Sequence, residues 1–341
     1  MDFCSRNGLS MPVYYEPKGF SPYEKLRNWT TRAKIGLSFA HDVRERVRAL
    51  NQQWLDESGF SGYLIGHEDY RASFYPALRH TVEVLAQEDS RHPAYTVGRL
   101  ASFPEKSRFL DAFLNEAGPT NVFQQEHYIF RSNLPERGNK QRKKLRELVE
   151  EYDGVSRHLH GRNGRWHAIL QAHGEDRVVD GETERFYRKP NPAELAVQAG
   201  AALSRGASGI IYFLYSSGIE KVRNKNGEVV QTRYYRGIVD RNGEPTSTYE
   251  AIRQLNALLS RIGKKVAPLH FRGGYSARSL PPGGPVETAG ENDLELGFFG
   301  DSTATTHLLV VNMRTAESRD LSLTMSAEQL RDAVGGEEMA N

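Results

Sequence analysis

Ionisable side chains follow several apolar runs of this sequence at the point where each run ends. Glu68 comes directly after the run 62–66 (GYLIG), and it stands between His67 and Asp69. A carboxyl group in a partly apolar setting, or beside a second carboxylate, has a raised pKa and can act as a general acid. The alternative interpretation is that Glu68 and Asp69 are solvated charges that begin a loop. Comparable polar groups end later runs: Glu126 with His127, His173 with Glu175, and Tyr215.

Elements of two kinds alternate along the first 268 residues and must position these groups. Short β-rich runs cover 9–15, 61–66, 94–97, 121–130, 166–171 and 209–215, and amphipathic patterns that predict helices cover 42–54, 75–87, 105–116, 140–152, 192–204 and 247–262. The helix at 192 has Asn191 as its cap, Pro192 at its first position and Glu194 in its first turn. Gly263 is predicted to end the last helix. Such alternation predicts a parallel sheet covered by helices.

Two α/β architectures fit this alternation, a doubly wound sheet and a (β/α)8 barrel of the TIM type. No glycine-rich phosphate loop follows any predicted strand, which disfavours a nucleotide-binding doubly wound fold. Barrel enzymes instead collect their catalytic groups from the carboxyl ends of many strands. The sequence therefore favours a (β/α)8 barrel as a catalytic domain over residues 1–268.

The sequence changes character after Pro268. Residues 269–290 are rich in Gly and Pro and predict a linker, and the alternating runs 294–299, 307–312 and 319–324 predict a C-terminal β-sandwich-like module over 291–341. Six strands are visible before the linker, whereas a closed barrel needs eight. We therefore interpret the chain as a fragment that lacks the first two βα units and an end of the module. An open sheet would expose strand edges that a partner chain, such as a second copy, could cover.

Composition limits the classes of partner. Among 341 residues, 45 Lys and Arg against 43 Asp and Glu give a net charge of +2, which does not favour a nucleic-acid partner. Cys4, the only cysteine, cannot form an internal disulfide. No apolar run is long enough to span a membrane, and no signal peptide is visible, so localisation stays open, with export an option if the N-terminus is missing. The charged run 136–152 is interpreted as a solvated helix face without a binding role.

Several stretches together resemble a family of bacterial glycoside-hydrolase-like barrels related to the β-galactosidase barrels of clan A. GYLIGHED (62–69) is similar to the family's fourth-strand motif, NVFQQEHYIF (121–130) to its sixth strand and WHAILQAHG (166–174) to its seventh. The stretch RKPNPAELAVQAGAALSRGASGIIYFLYSSG (188–218) resembles its next helix and last strand. The resemblance implies barrel strands three to eight, an oligo- or polysaccharide substrate, no cofactor, and Glu68 as the acid/base. His67 and Asp69 stand where the family has Asp and Pro.

The second carboxylate of such an enzyme is not fixed by the sequence. Glycoside hydrolysis needs one carboxyl group to protonate the leaving oxygen and another to attack the sugar or activate water. The family's nucleophile ends the seventh strand, where this chain has Gln171, which cannot serve. Glu126 is the preferred candidate and Glu175 the alternative. If neither can act with Glu68, the chain is a carbohydrate-binding barrel without turnover.

The remaining candidates are expected to bind substrate. A metal site would need three or four converging ligands, and the histidines do not have such a spacing, so no metal is predicted. Hydrogen bonding to substrate or to a carboxylate is the expected role of the histidines, and stacking on sugar or donation from a hydroxyl that of Tyr128 and Tyr215, whereas Tyr212 is expected to fill the core. The full set of expected substrate-binding residues is His67, Asp69, His127, Tyr128, Gln171, His173 and Tyr215.

Overall fold

The computed structural model describes residues 11–14, 44–45, 47–49, 51–52, 55–68, 70–115, 118–290, 292–316, 320 and 322–325, the first four by their backbone alone. The described residues 44–45, 47–49 and 51–52 are helical, and beyond residue 70 the α-helices are α1 (Tyr75–Glu88), α2 (Lys106–Phe113), α3 (Asn139–Leu159), α4 (Pro192–Leu203) and α5 (Ser247–Val266). The strands are β1 (Met11–Tyr14), β2 (Phe60–His67), β3 (Ala94–Gly98), β4 (Asn121–Glu126), β5 (Gly164–Gln171), β6 (Gly174–Val179), β7 (Glu182–Tyr187), β8 (Gly209–Phe213), β9 (Gly218–Arg223), β10 (Val229–Arg236), β11 (His270–Ser276), β12 (Val286–Ala289), β13 (Leu294–Gly300), β14 (Thr305–Asn312) and β15 (Leu323–Met325).

The main sheet is a partial barrel of the TIM type, so the predicted α/β fold class is confirmed. Its strand order is β1-β2-β3-β4-β5-β8, and β1 to β4 pair in parallel. All six predicted barrel strands are present in the described residues, within a few residues of the expected limits. Strand β4 ends at Glu126, earlier than its predicted limit. The residues that follow it, up to Phe130, belong to a loop.

The chain divides into two compact units. The first contains residues 1–126 and 154–167, and the second contains residues 127–153 and 168–341. Strand β5 and helix α3 each begin in one unit and end in the other. The predicted domain limits at 268 and 290 do not coincide with this division and stay a prediction.

Aromatic packing forms the core of the first unit. The rings of Phe103 and Phe109 stack with centroids 3.8 Å apart, and Phe123 of β4 meets Phe109 edge to face at 5.9 Å. Strand β2 can lie close to the chain before β3 only because it has a glycine at position 62. A Cβ on Gly62 would lie 2.2 Å from the Pro93 carbonyl oxygen, and its φ is +135°. These contacts hold β2, β3 and β4 in register, which fixes where each strand ends.

A hydrogen-bonded ion pair holds the start of α4 in the second unit. Asn191 is the predicted cap and forms a capping box with Glu194, and the buried Glu194 carboxylate also accepts two hydrogen bonds from Arg188 at 2.6 and 2.7 Å. Gln141 of α3 donates to the same carboxylate at 2.7 Å. The Glu194 carboxylate is thus held by structural partners. Without them, burial of its charge would cost roughly several kcal/mol.

A four-stranded antiparallel sheet in the order β7-β6-β10-β9 was not predicted. Eleven of its 26 residues are charged and only Gly174, Glu175 and Tyr187 are buried, so the apolar content that identifies buried strands is missing. The loops did carry a signal: Asp180-Gly181 joins β6 to β7 with positive φ at both residues, and Asn226-Gly227 lies between β9 and β10. Asp-Gly and Asn-Gly pairs between alternating residues are typical of hairpins.

Strands also occupy the stretch predicted to be a linker. Strand β11 joins the antiparallel sheet β11-β13-β14, and β12 pairs with β15. Both sheets contribute to one apolar cluster centred on Val286, Leu296 and Phe298. Helix α5 continues through Gly263 to Val266, so the prediction that Gly263 ends it is wrong. A glycine away from the αL conformation lowers helix stability without breaking the hydrogen-bond ladder.

A buried arginine connects the C-terminal strands with the helices of the second unit. Arg205, which follows α4 and is 1% exposed, donates to Asp153 of α3 at 2.5 Å and to Glu295 of β13. The backbones of β11 and β13 approach Ser204 so closely that a Cβ on Gly274 or Gly297 would lie within 3 Å of it. The small residues therefore permit the approach that lets Arg205 reach both carboxylates.

No helix in the described parts of the chain is both long and apolar enough to cross a bilayer.

Candidate functional site

Strand β2 delivers His67 and Glu68 to the carboxyl end of the sheet. All seven residues from Phe60 to Gly66 are buried or half-buried, while His67 and Glu68 are exposed. The Glu68 amide donates to the Val97 carbonyl of the neighbouring strand at 2.9 Å, and its φ is +51°. A residue other than glycine rarely adopts this left-handed conformation, which occurs preferentially at functional sites. Asp69, the next candidate, lies outside the described residues.

Strand β4 places Glu126 beside these two residues. The amide oxygen of Gln125 accepts from the Leu100 amide at 2.9 Å and so anchors the end of the strand, and Glu126 follows it at 8% exposure. One ligand atom from each of His67, Glu68 and Glu126 lies within 4.8 Å of the others. The carboxyl ends of parallel strands meet at one edge of the sheet, as predicted, and they bring the two preferred carboxylates together.

Tyr70 is a member of this group that the sequence did not single out. Its hydroxyl accepts a hydrogen bond from the Arg99 amide at 3.2 Å, and its ring packs edge to face on Phe103 with centroids 4.8 Å apart. Burial, together with the negative charges of Glu68 and Glu126, raises the pKa of Tyr70 to about 12. The phenol therefore stays protonated beside the carboxylates. The sequence offered one indication that Tyr70 belongs to this group, which is its position two residues after Glu68, in the loop that follows the end of β2.

The same three side chains could also hold a cation, which the sequence did not predict. A histidine nitrogen and two carboxylate oxygens are ligands that a divalent ion such as zinc accepts. The histidine spacing gave no indication of this group, since only His67 contributes a nitrogen and the other two ligands are glutamates.

In the second unit, Gln171 has a structural role at the end of β5. Its side-chain oxygen accepts from the Phe130 amide at 2.8 Å, and its NH2 group lies within 3.2–3.4 Å of the carbonyls of Phe130, His173 and Arg188. The residue is 0% exposed. Both N–H groups of the amide and one lone pair of its oxygen are used within the protein, which suits a structural role; the predicted contact with substrate stays a prediction.

Glu175 likewise forms an ion pair with its own sheet. Only 2% exposed, its carboxylate accepts from Arg177 at 2.5 Å and lies 3.9 Å from the Arg233 guanidinium. The catalytic role given to Glu175 stays a prediction, and its surroundings suit a charge held in place by two arginines.

His173 is enclosed by aromatic rings. Its Nδ1 donates to the Phe213 carbonyl at 3.0 Å, and Tyr128, Tyr187 and Phe213 lie against it with ring centroids 5.0–5.5 Å away. Burial lowers the pKa of His173 to about 4, the positive charge of Arg236 acts in the same direction, and the hydrogen bond to Phe213 opposes them. The imidazole is therefore neutral near pH 7.

The other expected substrate-binding residues differ in accessibility. Tyr215 is 60% exposed and offers an accessible ring face, whereas His127 and Tyr128 are half-buried. Tyr128 stacks on Phe213 with ring centroids 5.4 Å apart, and the residue is half-buried.

Comparison with known proteins adds distant structural likenesses. No protein-family model matches the sequence, and no curated protein matches it significantly. The glycoside hydrolase family 5 mannosidase of Rhizomucor miehei aligns over 74% of this chain and 67% of its own, with 11% identity and a TM-score of 0.45. The β-galactosidase of the psychrophilic Marinomonas ef1 aligns over 67% and 44%, with 9% identity and a TM-score of 0.43.

Endo-glycoceramidase II from Rhodococcus sp. aligns over 80% of this chain and 54% of its own, with 12% identity and a TM-score of 0.41. The chain thus spans about half the length of the β-galactosidase and endo-glycoceramidase structures that it matches. At these identities and scores the likenesses carry no argument about activity, so a function has to be inferred from the residues themselves.

Proposed function

We propose that this protein is a glycoside hydrolase that uses Glu68 as the acid/base and Glu126 as the second carboxylate. The supporting observation is the approach of their carboxylate oxygens to within 4.8 Å of each other at the carboxyl ends of β2 and β4. Retaining glycosidases have their two carboxyl groups about 5–5.5 Å apart, and inverting enzymes about 6.5–9.5 Å apart. The short separation favours the retaining mechanism.

The different exposure of the two groups supports different roles for them. Glu68 is exposed and can reach the leaving-group oxygen of a bound glycoside, whereas Glu126 is 8% exposed and fixed at the end of β4. Glu126 would attack the anomeric carbon as Glu68 gives its proton to the leaving oxygen. Water, deprotonated by Glu68, would then cleave the glycosyl ester and restore both groups. Tyr70 supplies a protonated hydroxyl beside the pair.

Hydrolysis of a panel of aryl glycosides tests the proposal. The protein should release aryl alcohol from at least one sugar, and Glu68→Gln and Glu126→Gln should each lower kcat/KM by about 10²–10⁴. NMR of the first sugar released should show the same anomeric configuration as the substrate. An inverted product would contradict Glu126 as the nucleophile.

A carbohydrate-binding protein without turnover is the second candidate. The structural role of Gln171 favours this candidate. The sequence resembles a family that has its nucleophile at this position, whereas this chain has an amide that bonds to the protein. Calorimetric binding of oligosaccharides with no hydrolysis of any aryl glycoside would select this candidate over the first.

A further inference from the structure

The first half of helix α3 and the turn before it carry a dense group of positive charges. Six of the ten residues at 137–146 are Lys or Arg, and none is acidic, although the chain as a whole has a net charge of only +2. Arg137, Lys140, Lys143, Lys144 and Arg146 are exposed, and Arg142 is half-buried. We call these six residues the α3 cationic patch. The buried side of the same helix segment is formed by Gln141, Leu145, Leu148 and Val149.

Most of these charges have no acidic partner. Lys144 pairs with Glu147 at 2.6 Å, whereas Arg137, Lys140, Lys143 and Arg146 form no ion pair within 4.0 Å in the described part of the chain. Lys140 and Arg142 also lie in the first turn of the helix, where the helix dipole disfavours cations by about 0.3–1 kcal/mol each. The acidic residues Glu147, Glu150 and Glu151 follow in the middle of the helix. This order opposes helix stability, and such local conflicts are expected at functional sites.

A shallow hollow continues the patch onto the C-terminal strands of the second unit. Arg142 and Arg146 line it together with Arg278, Asp293 and Glu295. Its two carboxylates are already bound: Asp293 pairs with Arg278 and with Arg314 at 3.0 Å, and Glu295 pairs with Arg205. Both carboxylates thus have arginine partners of their own, and Arg142 and Arg146 provide the local excess of positive charge.

We propose that the α3 cationic patch binds a polysaccharide that carries carboxylate or sulfate groups. The polysaccharide class rests on the proposed glycosidase function, and the anionic groups follow from the charge of the patch. Arginine forks match the planar geometry of carboxylates and the oxygens of sulfate, and exposed lysines add attraction along an extended chain. This proposal departs from the expectation that 136–152 is only a solvated helix face, which no observation has yet tested.

Binding of labelled dextran sulfate and polygalacturonate, measured by fluorescence anisotropy against neutral dextran of equal length, tests the proposal. The protein should bind both anionic polymers, with an affinity that falls as salt rises, and should ignore the neutral one. The variant Lys140→Gln/Lys143→Gln/Arg146→Gln should bind about tenfold more weakly, because each exposed charge contact contributes a factor of roughly two to five.

A matched variant separates the patch from net charge. Lys221→Gln/Lys225→Gln/Arg241→Gln removes the same three charges from exposed sites elsewhere in the second unit and should keep full affinity. Equal weakening in both triple variants would overturn the proposal, as would tighter binding of a DNA duplex than of either polysaccharide. Small uncharged aryl glycosides should be hydrolysed equally by all three proteins. If none of the three proteins hydrolyses any of these aryl glycosides, the proposed glycosidase function fails. The binding result still tests whether the α3 cationic patch binds anionic polysaccharide.

Discussion

Two sets of strand ends carry polar groups in this molecule, and they differ in how accessible those groups are and in how many protein partners they have. At the ends of β2 and β4, Glu68 is exposed, its carboxylate has no hydrogen bond or ion pair within the described residues, and its oxygen comes within 4.8 Å of one from Glu126. At the end of β5 and the start of β6, Gln171 and Glu175 are buried, and each is held by several protein partners.

Burial and bonding explain the different uses. A group that must exchange a proton with substrate needs access and unfilled hydrogen-bonding capacity, whereas a buried polar group is stable only when the protein satisfies it. The residue types at both sets of ends are similar, so the sequence suggested chemistry at each. Their surroundings favour chemistry at the first and structure at the second.

The largest expected difference is between two carboxylates. Glu68→Gln should reduce kcat on an aryl glycoside by about 10³ without changing the melting temperature, because it removes only an exposed acid. Glu175→Gln should leave kcat within about threefold and lower the stability, since it deprives Arg177 of its charged partner. Steady-state kinetics and thermal melts measure both. Loss of hydrolysis in a folded Glu175→Gln protein would break the comparison.

Gln171→Ala should destabilise the protein by about 3 kcal/mol. The substitution leaves the Phe130 amide and neighbouring carbonyls buried without their partner, and each such group costs about 1–3 kcal/mol. Urea denaturation measures the change. The matched variant Gln254→Ala, on the exposed side of α5, loses a single hydrogen bond to Glu250 and should change stability by less than about 0.5 kcal/mol. Similar losses in the two variants would contradict a structural role for Gln171.

Acid should weaken the fold through its buried histidines. The pKa values of His173 and His167 are both lowered to about 4, mainly by burial, against an ordinary value of 6.5. Between pH 6.5 and 4 the unfolded chain therefore binds protons that the folded chain excludes, and stability falls as the pH falls. His173 should account for about 2 kcal/mol of the loss between pH 7 and 4.

Urea denaturation at pH 7 and pH 4, each compared with the variant His173→Phe, measures that contribution. The variant should lose less stability on acidification than the parent, whatever its stability at pH 7. An unchanged dependence on pH would show that His173 is charged, or solvated, in the folded protein.

Chelation should have the smallest effect. With Glu68 and Glu126 acting as proton donor and nucleophile, hydrolysis needs no cation, so dialysis against EDTA should leave kcat unchanged. A loss of activity that Zn²⁺ restores would instead assign His67, Glu68 and Glu126 to a metal and replace the two-carboxylate mechanism.

Much of the fold was predictable because its signals are local. The apolar runs at 61–66 and 94–97 and the Asn191-Pro192 helix start each determine an element through burial or capping within a few residues. The sheet that contains β6, β7, β9 and β10 was missed because exposed strands carry no apolar signal, and its Asp-Gly and Asn-Gly turns were the only guide. Strands β11 and β12 were missed because their segments are rich in Gly and Pro. That composition is typical of linkers, but it also occurs in short edge strands.

The site was predictable in part for a different reason. Strand ends converge in any parallel sheet, so Glu68 and Glu126 could be named from position alone. Whether a polar group at such an end is free to react depends on residues distant in sequence, such as Arg233 beside Glu175 or Arg188 beside Gln171. That information exists only once the chain has folded. Tyr70 was overlooked because a tyrosine in a loop has no distinctive spacing.

Arg205 has a consequence for how such a chain can evolve or be engineered. The composition suggests a cut near residue 268 that would separate an exchangeable C-terminal cassette. The guanidinium of Arg205 is buried between Asp153 on one side of that cut and Glu295 on the other. A graft whose strands cover Arg205 but lack the Glu295 carboxylate would leave the buried guanidinium with Asp153 alone, and loss of a partner from a buried ion pair costs about 3–5 kcal/mol. Recombination of these strands with another barrel would therefore favour a compensating substitution at position 205.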